Sequence, residues 1–413
     1  MPELQFLTQR DRRRRRSPRA SWLALPLTLL TLLAPEALLA PAAASEPAIS
    51  DTARLGPALR YAGPRPLDGE AVPDMIRSLA RPSQAPDTGR GPSLDARYEA
   101  ALDAALASAD AYGATFATVR DGEVVWSGAS GTAPDGRTQL EASTSLVIGS
   151  VTKTFVAAAV LQLVEEERLS LDDSVRTHLP ELPISQGITV RQLLDHTSGL
   201  ADLFNDTTRR GIEEDPERGW STAQILGSLH EPWYEPGDGW AYANTNYLLL
   251  SLLVERLCDR ALQDELGQRF LEPLDLDGTR LLIPLDEIDD PLEPAWTTIF
   301  WGSGAMVSSA TDLARWGDAL YDDDDLLGDD ARAEMLAVNH EDYGLGVQRI
   351  EVSEEKGYGH SGLLQTYTTL LLHLPEDHVT LALLVNRSRA DLGAMLTARP
   401  DDGPSLLDLV LGE

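Results

Sequence analysis

Gly149-Ser150-Val151-Thr152-Lys153 leads into the apolar run Thr154-Phe155-Val156-Ala157-Ala158-Ala159-Val160-Leu161, and the spacing predicts a helix over about 150–166. Residues i and i+3 of a helix share a face one turn apart, so Ser150 and Lys153 point to the same side. A neutral amine there can accept the serine proton, and the helix N-terminus favours negative charge developing on the hydroxyl oxygen. Alone, the pair describes a helix-capping serine beside a surface lysine equally well, so partners elsewhere must decide. Composition bears on the choice. Of 34 basic residues only Lys153 and Lys356 are lysines. Lysine can give up its proton when desolvated and arginine cannot. An isolated lysine in such a chain is most simply a survivor of a biased composition. A lysine one turn from a serine is a candidate for work that needs deprotonation.

Two later segments supply partners. The first is Tyr242-Ala243-Asn244, within Pro236-Gly237-Asp238-Gly239-Trp240-Ala241-Tyr242-Ala243-Asn244-Thr245-Asn246-Tyr247. A phenol beside an ammonium can have its pKa lowered and can relay protons. The Asn244 amide can hold a substrate carbonyl and the lysine together. The second is Gly359-His360-Ser361-Gly362, just before a strand-like run that begins at Tyr367. Glycines there let a substrate backbone approach an edge strand closely. A nucleophile elbow would need glycine where Leu363 stands, and only His373 and His378 follow to complete a triad, so that reading fails.

In this order the three motifs resemble the serine β-lactamase-like, penicillin-binding-protein family, which includes class C β-lactamases, D,D-peptidases, D-aminopeptidases and related esterases. The resemblance runs from about residue 95 to the C-terminus. It takes in the connecting segments Leu193-Leu194-Asp195-His196-Thr197-Ser198-Gly199-Leu200, Gly302-Ser303-Gly304 and Tyr343-Gly344-Leu345-Gly346. It implies that Ser150 attacks the substrate carbonyl and forms an acyl-enzyme. Lys153 and Tyr242 would share general base and acid work, while Asn244, His360, Ser361, Gly362 and Leu363 border the substrate. The N–H groups of Ser150 and Leu363 would form the oxyanion hole. No metal or cofactor is required. β-Lactamases of the family carry lysine where His360 stands, and a neutral histidine anchors a substrate carboxylate less well. Efficient β-lactam hydrolysis is therefore not expected. The expected reaction is acyl transfer to water from a small amide or ester, with a D-amino-acid peptide (D,D-carboxypeptidase-like) as the substrate. A carboxylesterase or weak β-lactamase using the same residues is the alternative. An inactive ligand-binding homologue is the alternative from another class, and the intact set Ser150, Lys153, Tyr242 and Asn244 argues against it.

Working outward, residues 94–109 have helical spacing, and runs at 115–119 and 123–126 flank Asp121-Gly122, a strong hairpin signal. Helices and loops fill about 167–294. Strand-like runs at 367–374 and 379–386 and a short helix near 406–411 close the chain. The expected fold is α+β: one antiparallel sheet built from both chain ends, flanked by helices, with a helical middle lobe beside it. A cleft between sheet and lobe is the expected place for the site.

The N-terminus has Arg12 to Arg16 and Arg19, an apolar stretch from Trp22 to Ala34, and Ala42-Ala43-Ala44. That is the order of a secretory signal over 1–44, with an uncleaved anchor as the alternative. Pro26, Pro35, Glu36 and Pro41 make the stretch a poor spanning helix, so no membrane span is expected in the mature chain. Residues 45–93 read as a Pro/Gly/Ala-rich linker ahead of a hydrolase domain over 94–413. An exported protein, periplasmic or extracellular, follows. The net charge of −32 falls to −36 once the leader's seven arginines and three acids are removed, and such a surface repels nucleic acid. The expected partner is a small-molecule or peptide substrate.

Other features carry no function. Cys258, the single cysteine, reads as a small buried side chain, and Asp322-Asp323-Asp324-Asp325 as a solvated acidic loop without the spacing of a calcium loop. Asp195-His196-Thr197-Ser198 reads as loop structure near the cleft. The glycines of a phosphate loop are missing at 147 and 152. Trp220, Trp233, Trp240 and Trp301 fit core packing as well as a cleft wall.

Overall fold

The computed structural model describes residues 92–283, 291–322, 326–339, 341–401 and 403–412. The leader expected over 1–44, nearly all of the linker and Asp323 to Asp325 lie outside the described residues.

Asp121 and Gly122 both have positive φ, 49° and 78°, and form the two-residue turn between β1 (Gly113–Arg120) and β2 (Glu123–Gly131), with Arg120 paired to Glu123. The turn's sense matches the right-handed twist of the strands, so the hairpin closes locally. Two small strands, β3 (Leu146–Val147) and β4 (Arg280–Leu281), flank β5 (Met306–Ser308) in a separate three-stranded sheet. The remaining strands are β6 (Gln348–Val352), β7 (Glu355–Leu364), β8 (Tyr367–Leu374) and β9 (Val379–Val385). The main sheet runs β2-β1-β9-β8-β7-β6, every pairing antiparallel. Its centre joins the two ends of the domain, as expected.

Both faces of the central strands are covered, which is why β8 and β9 are buried along their whole length. Val379, Leu381, Leu383 and Val385 pack with Phe116 against the helices Leu94–Ala109, Leu392–Thr397 and Leu406–Leu411. Ala382 and Leu384 belong to the other, larger core, with the helices Thr152–Glu165 and Ala310–Tyr321. The alternation follows from the two-residue period of a strand. Each buried leucine contributes about 1.5–3 kcal/mol, so this double-sided core anchors the sheet firmly. Trp316 stacks on Phe155 at 3.9 Å, and its Nε1 donates to Thr154 Oγ1 at 2.8 Å, fixing the helix that follows Ser150. Cys258 is half-buried at the end of the helix Asn244–Cys258 rather than fully buried as its apolar neighbours suggested. Asp322 accepts from, or pairs with, His378 Nδ1 at 3.0 Å.

Candidate active site

The α-helix begins two residues later than its spacing predicts. Gly149–Val151 forms a turn of 3₁₀ helix, and the α-helix runs over Thr152–Glu165. Gly149 has φ +52°, and a Cβ on it would lie 2.8 Å from Leu363 N. Glycine is required there because the left-handed conformation and the closeness of β7 both exclude a side chain. Ser150 N and Leu363 N are thereby brought to the same spot, since a Cβ on Gly362 would lie 3.4 Å from Ser150 N.

Lys153 is fully buried, and its Nζ lies 3.2 Å from Ser150 Oγ, 2.8 Å from Asn244 Oδ1 and 2.6 Å from Ser303 O. Burial brings its pKa from 10.5 down to about 7, against the Asp202 charge, which acts to raise it. A neutral amine has two N–H bonds and one lone pair. Asn244 Oδ1 and Ser303 O accept only from those N–H bonds, so the lone pair is left for Ser150 Oγ. Near neutral pH this serine faces a base already oriented.

Tyr242 is also in place, but with a different electrostatic character from that expected. Burial drives its pKa well above the ordinary 10, and the neighbouring Ser150 hydroxyl offsets only part of the rise. The Lys153 nitrogen lies 4.9 Å from the centre of the Tyr242 ring, so it faces the ring rather than the phenol oxygen. The lowered phenol pKa expected from an adjacent ammonium is therefore corrected: desolvation dominates, and the phenol stays protonated. Its buried oxygen has no well-formed hydrogen bond among the described residues and is free to serve an incoming group.

Asn244 is the first residue of the helix Asn244–Cys258. Its backbone N–H and its Nδ2 donate to the two oxygens of Asp202, at 2.9 and 3.2 Å. The segment ahead of it is held by His196, whose Nδ1 accepts from Ala243 N at 3.2 Å and lies 2.9 Å from Asn246 Nδ2. Burial lowers the His196 pKa well below 6.5, so the ring is a neutral acceptor.

The remaining expected residues all lie on β7. Ser361, Gly362 and Leu363 lie on β7 beside Ser150, and Leu363 is 46% exposed. The strand pairing of β7 with β6 ends at Gly359 and Gln348, and beyond it the Gln348 side chain, not β6 backbone, meets Ser361. The edge past Ser361, next to Ser150, is where an extended group can meet the strand. Ser361 Oγ and N both donate to Gln348 Oε1, at 3.0 and 2.9 Å. His360 is only 1% exposed. Its Nδ1 donates to Ser361 O at 2.6 Å, leaving Nε2 to accept from Tyr343 Oη at 3.0 Å. Burial, then the Lys153 charge, lowers its pKa to about 3. Both ring nitrogens of His360 are thus engaged internally, and the ring lies 6.3 Å from that of Tyr242, beside the groups around Lys153.

Two site groups escaped the sequence reading. Ser303 acts through its carbonyl, which the bend at Trp301 (φ 24°) turns toward Lys153. Asp202 follows the His196-to-Leu200 segment by two residues. Both stand in or beside the connecting segments that carry the family resemblance, which is the signal the sequence offers for them.

The profile of the family described as Beta-lactamase matches residues 96–399, and the chain belongs to that family. Among sequence relatives, penicillin-binding protein 4* of Bacillus subtilis (strain 168) is 26% identical over 287 residues, covering 60% of this chain and 62% of that protein. D-aminopeptidase of Brucella anthropi is 29% identical over 297 residues, 66% of this chain and 56% of that one. The chain thus spans about three fifths of the length of the curated relatives it matches. Among solved structures, a D-stereospecific amidohydrolase from Streptomyces sp. superposes with a TM-score of 0.62 at 29% identity, covering 74% of this chain and 98% of that one. The octameric penicillin-binding protein homologue from Pyrococcus abyssi shares the fold at a TM-score of 0.60 and 24% identity, covering 77% of each.

Proposed function

We propose that this protein is an exported serine hydrolase that cleaves small amides through an acyl-enzyme on Ser150, and that its substrates carry a D-amino-acyl group. The observation that carries the reading is the occupancy of Lys153: two fixed carbonyl oxygens take its N–H bonds and leave its lone pair at Ser150 Oγ. As Ser150 Oγ bonds to the substrate carbonyl carbon, its proton passes to Lys153. The carbonyl oxygen becomes an anion between the N–H groups of Ser150 and Leu363, where each donor is worth about 2.7–4 kcal/mol. Collapse breaks the C–N bond, and the leaving nitrogen receives a proton by way of Tyr242. Water then attacks the ester with the same groups acting in reverse.

The family offers carboxypeptidase, aminopeptidase, amidase and esterase chemistry, and His360 favours one part of that range. It is neutral and enclosed, so it offers no charge to a substrate carboxylate. This supports D-amino-acid amides and N-terminal D-residues over the D,D-carboxypeptidase substrates first expected. The names of the Brucella and Streptomyces relatives point the same way.

Intact-mass spectrometry after treatment with a fluorophosphonate, on wild type and Ser150→Ala, tests the nucleophile. A single adduct on wild type alone is expected. Chromatographic assay of D- and L-phenylalanine amide then tests the substrate class, with release of D-phenylalanine alone expected. Well-folded wild type that takes no adduct would overturn the hydrolase reading.

A further inference from the structure

Asp202 makes no contact with Ser150, yet it governs two groups that do the work. Asn244 can present either end of its side-chain amide to Lys153. Only the oxygen is useful there, because an NH2 group would meet the N–H bonds of the amine. The choice is made on the far side, where Asp202 takes Asn244 Nδ2 at 3.2 Å and the Asn244 backbone N–H at 2.9 Å. A carboxylate accepts and cannot donate, so it excludes the flipped amide. The Asn244 oxygen is then locked on Lys153 at 2.8 Å.

We propose that Asp202 is a positioning residue for the proposed hydrolase reaction: its carboxylate fixes the Asn244 amide, and through it directs the Lys153 lone pair at Ser150. The inference rests on the functional reading above for its catalytic consequence, but not for its effect on Lys153. The other groups facing Lys153 are the rings of Tyr242 and Tyr247, at 4.9 and 5.5 Å, with His196 and His360 close enough to feel its charge. Both phenols are held protonated and both imidazoles neutral by burial. Among these groups Asp202 is the carboxylate whose charge favours the ammonium; burial raises its own pKa, and the Asn244 and Phe204 hydrogen bonds hold against that rise.

The chain's two lysines make a direct test practical. Uniform incorporation of lysine labelled with ¹³C at Cε gives two signals, Lys153 and the exposed Lys356, and the shift of the first against pH reports its protonation without any substrate. In Asp202→Asn the Lys153 midpoint is expected to move to lower pH by on the order of one unit, because loss of the anion disfavours the ammonium. The acid limb of the fluorophosphonate labelling rate should move with it, and the limiting rate should fall about tenfold or more through misplacement of the amine. Asp202→Glu keeps the charge and displaces the oxygens, so it should keep the wild-type midpoint while losing rate. A purely structural Asp202 would lower melting temperature and rate and leave the midpoint where it is. An unchanged midpoint in folded Asp202→Asn overturns the proposal. If that variant does not fold, an undiminished labelling rate in Asp202→Glu overturns it instead. Failure of wild type to take any label would sink the hydrolase reading and leave the lysine titration to decide Asp202 by itself.

Discussion

Gly362 passes so close to Ile148 that a Cβ on it would lie 2.0 Å from the Ile148 carbonyl oxygen. The contact presses β7 against the segment that carries Ser150 and sets the distance between the Ser150 and Leu363 N–H groups. Gly362→Ala should push the strand away. Because over-packing costs about 1–3 kcal/mol, the protein should remain folded while fluorophosphonate labelling falls by about 100-fold. Circular dichroism and the labelling rate, measured on one sample, check both halves. Labelling at the wild-type rate would remove Leu363 N–H from the proposed oxyanion hole.

Hydrolysis should switch on as pH rises through about 7, where buried Lys153 loses its proton. The amine is the active form, so kcat/KM climbs with pH and levels off above that value. Tyr242, whose pKa lies far above 10, adds no descending limb at moderately alkaline pH. Tyr242→Phe should leave the acid limb in place and lower the limiting rate by about 10²–10⁴ for amides. Activated esters, whose leaving groups need no proton, should suffer much less. A parallel loss on both substrate types would contradict the donor role.

Stability should carry the signature of the same lysine. The unfolded chain keeps that proton up to about 10.5 and the folded chain releases it near 7. Between those values the unfolded state binds more protons, so stability rises with pH, by at most about 1.4 kcal/mol per unit. Wild type compared with Lys153→Met by urea unfolding at pH 7 and pH 9 isolates the effect, since other groups cancel. Wild type should gain on the variant between the two. The Met variant should be inactive at both.

Acid should undo the fold through its enclosed imidazoles. His360 and His373 are held down to about 3 and about 4 by burial. Their ordinary value is 6.5, so the stability tied to keeping them neutral is complete above 6.5 and is lost as pH falls toward those folded values. The melting temperature should decline across that window, and His360→Gln should make the decline shallower. An equal slope in wild type and variant would mean that the burden lies on other groups.

Much of this was legible because the informative residues sit where local rules are strong. The helix Leu94–Ala109 and the Asp121-Gly122 hairpin follow from spacing and turn chemistry, and the structure reproduces them. β7 was harder. Its glycines and polar residues imitate a loop, yet Gly357 and Gly359 are needed because Cβ atoms there would lie 2.1 and 1.9 Å from backbone oxygens of β8. The two- and three-residue strands β3, β4 and β5 are too short to show any period. Ser150, Lys153, Tyr242 and Asn244 could be recognised by residue type and order. Asp202 could not, because its role depends on which way an amide 42 positions later is turned. The character of Tyr242 was missed for a related reason: burial, not sequence neighbourhood, sets its protonation.

The pairing of β1 with β9 has a temporal meaning as well as a spatial one. Gly113–Arg120 emerges from the ribosome early, and its partner Val379–Val385 only after the helix that follows Ser150 and the whole middle of the domain have been made. The hairpin at the start must wait with one long edge uncovered, exposed to misassociation, until the last strands arrive. β7, which presents Leu363 to Ser150, is built on the β8 scaffold of that same late segment. The nascent chain therefore carries a serine and a lysine long before it carries a working site, and reactivity appears only when synthesis of the sheet is finished.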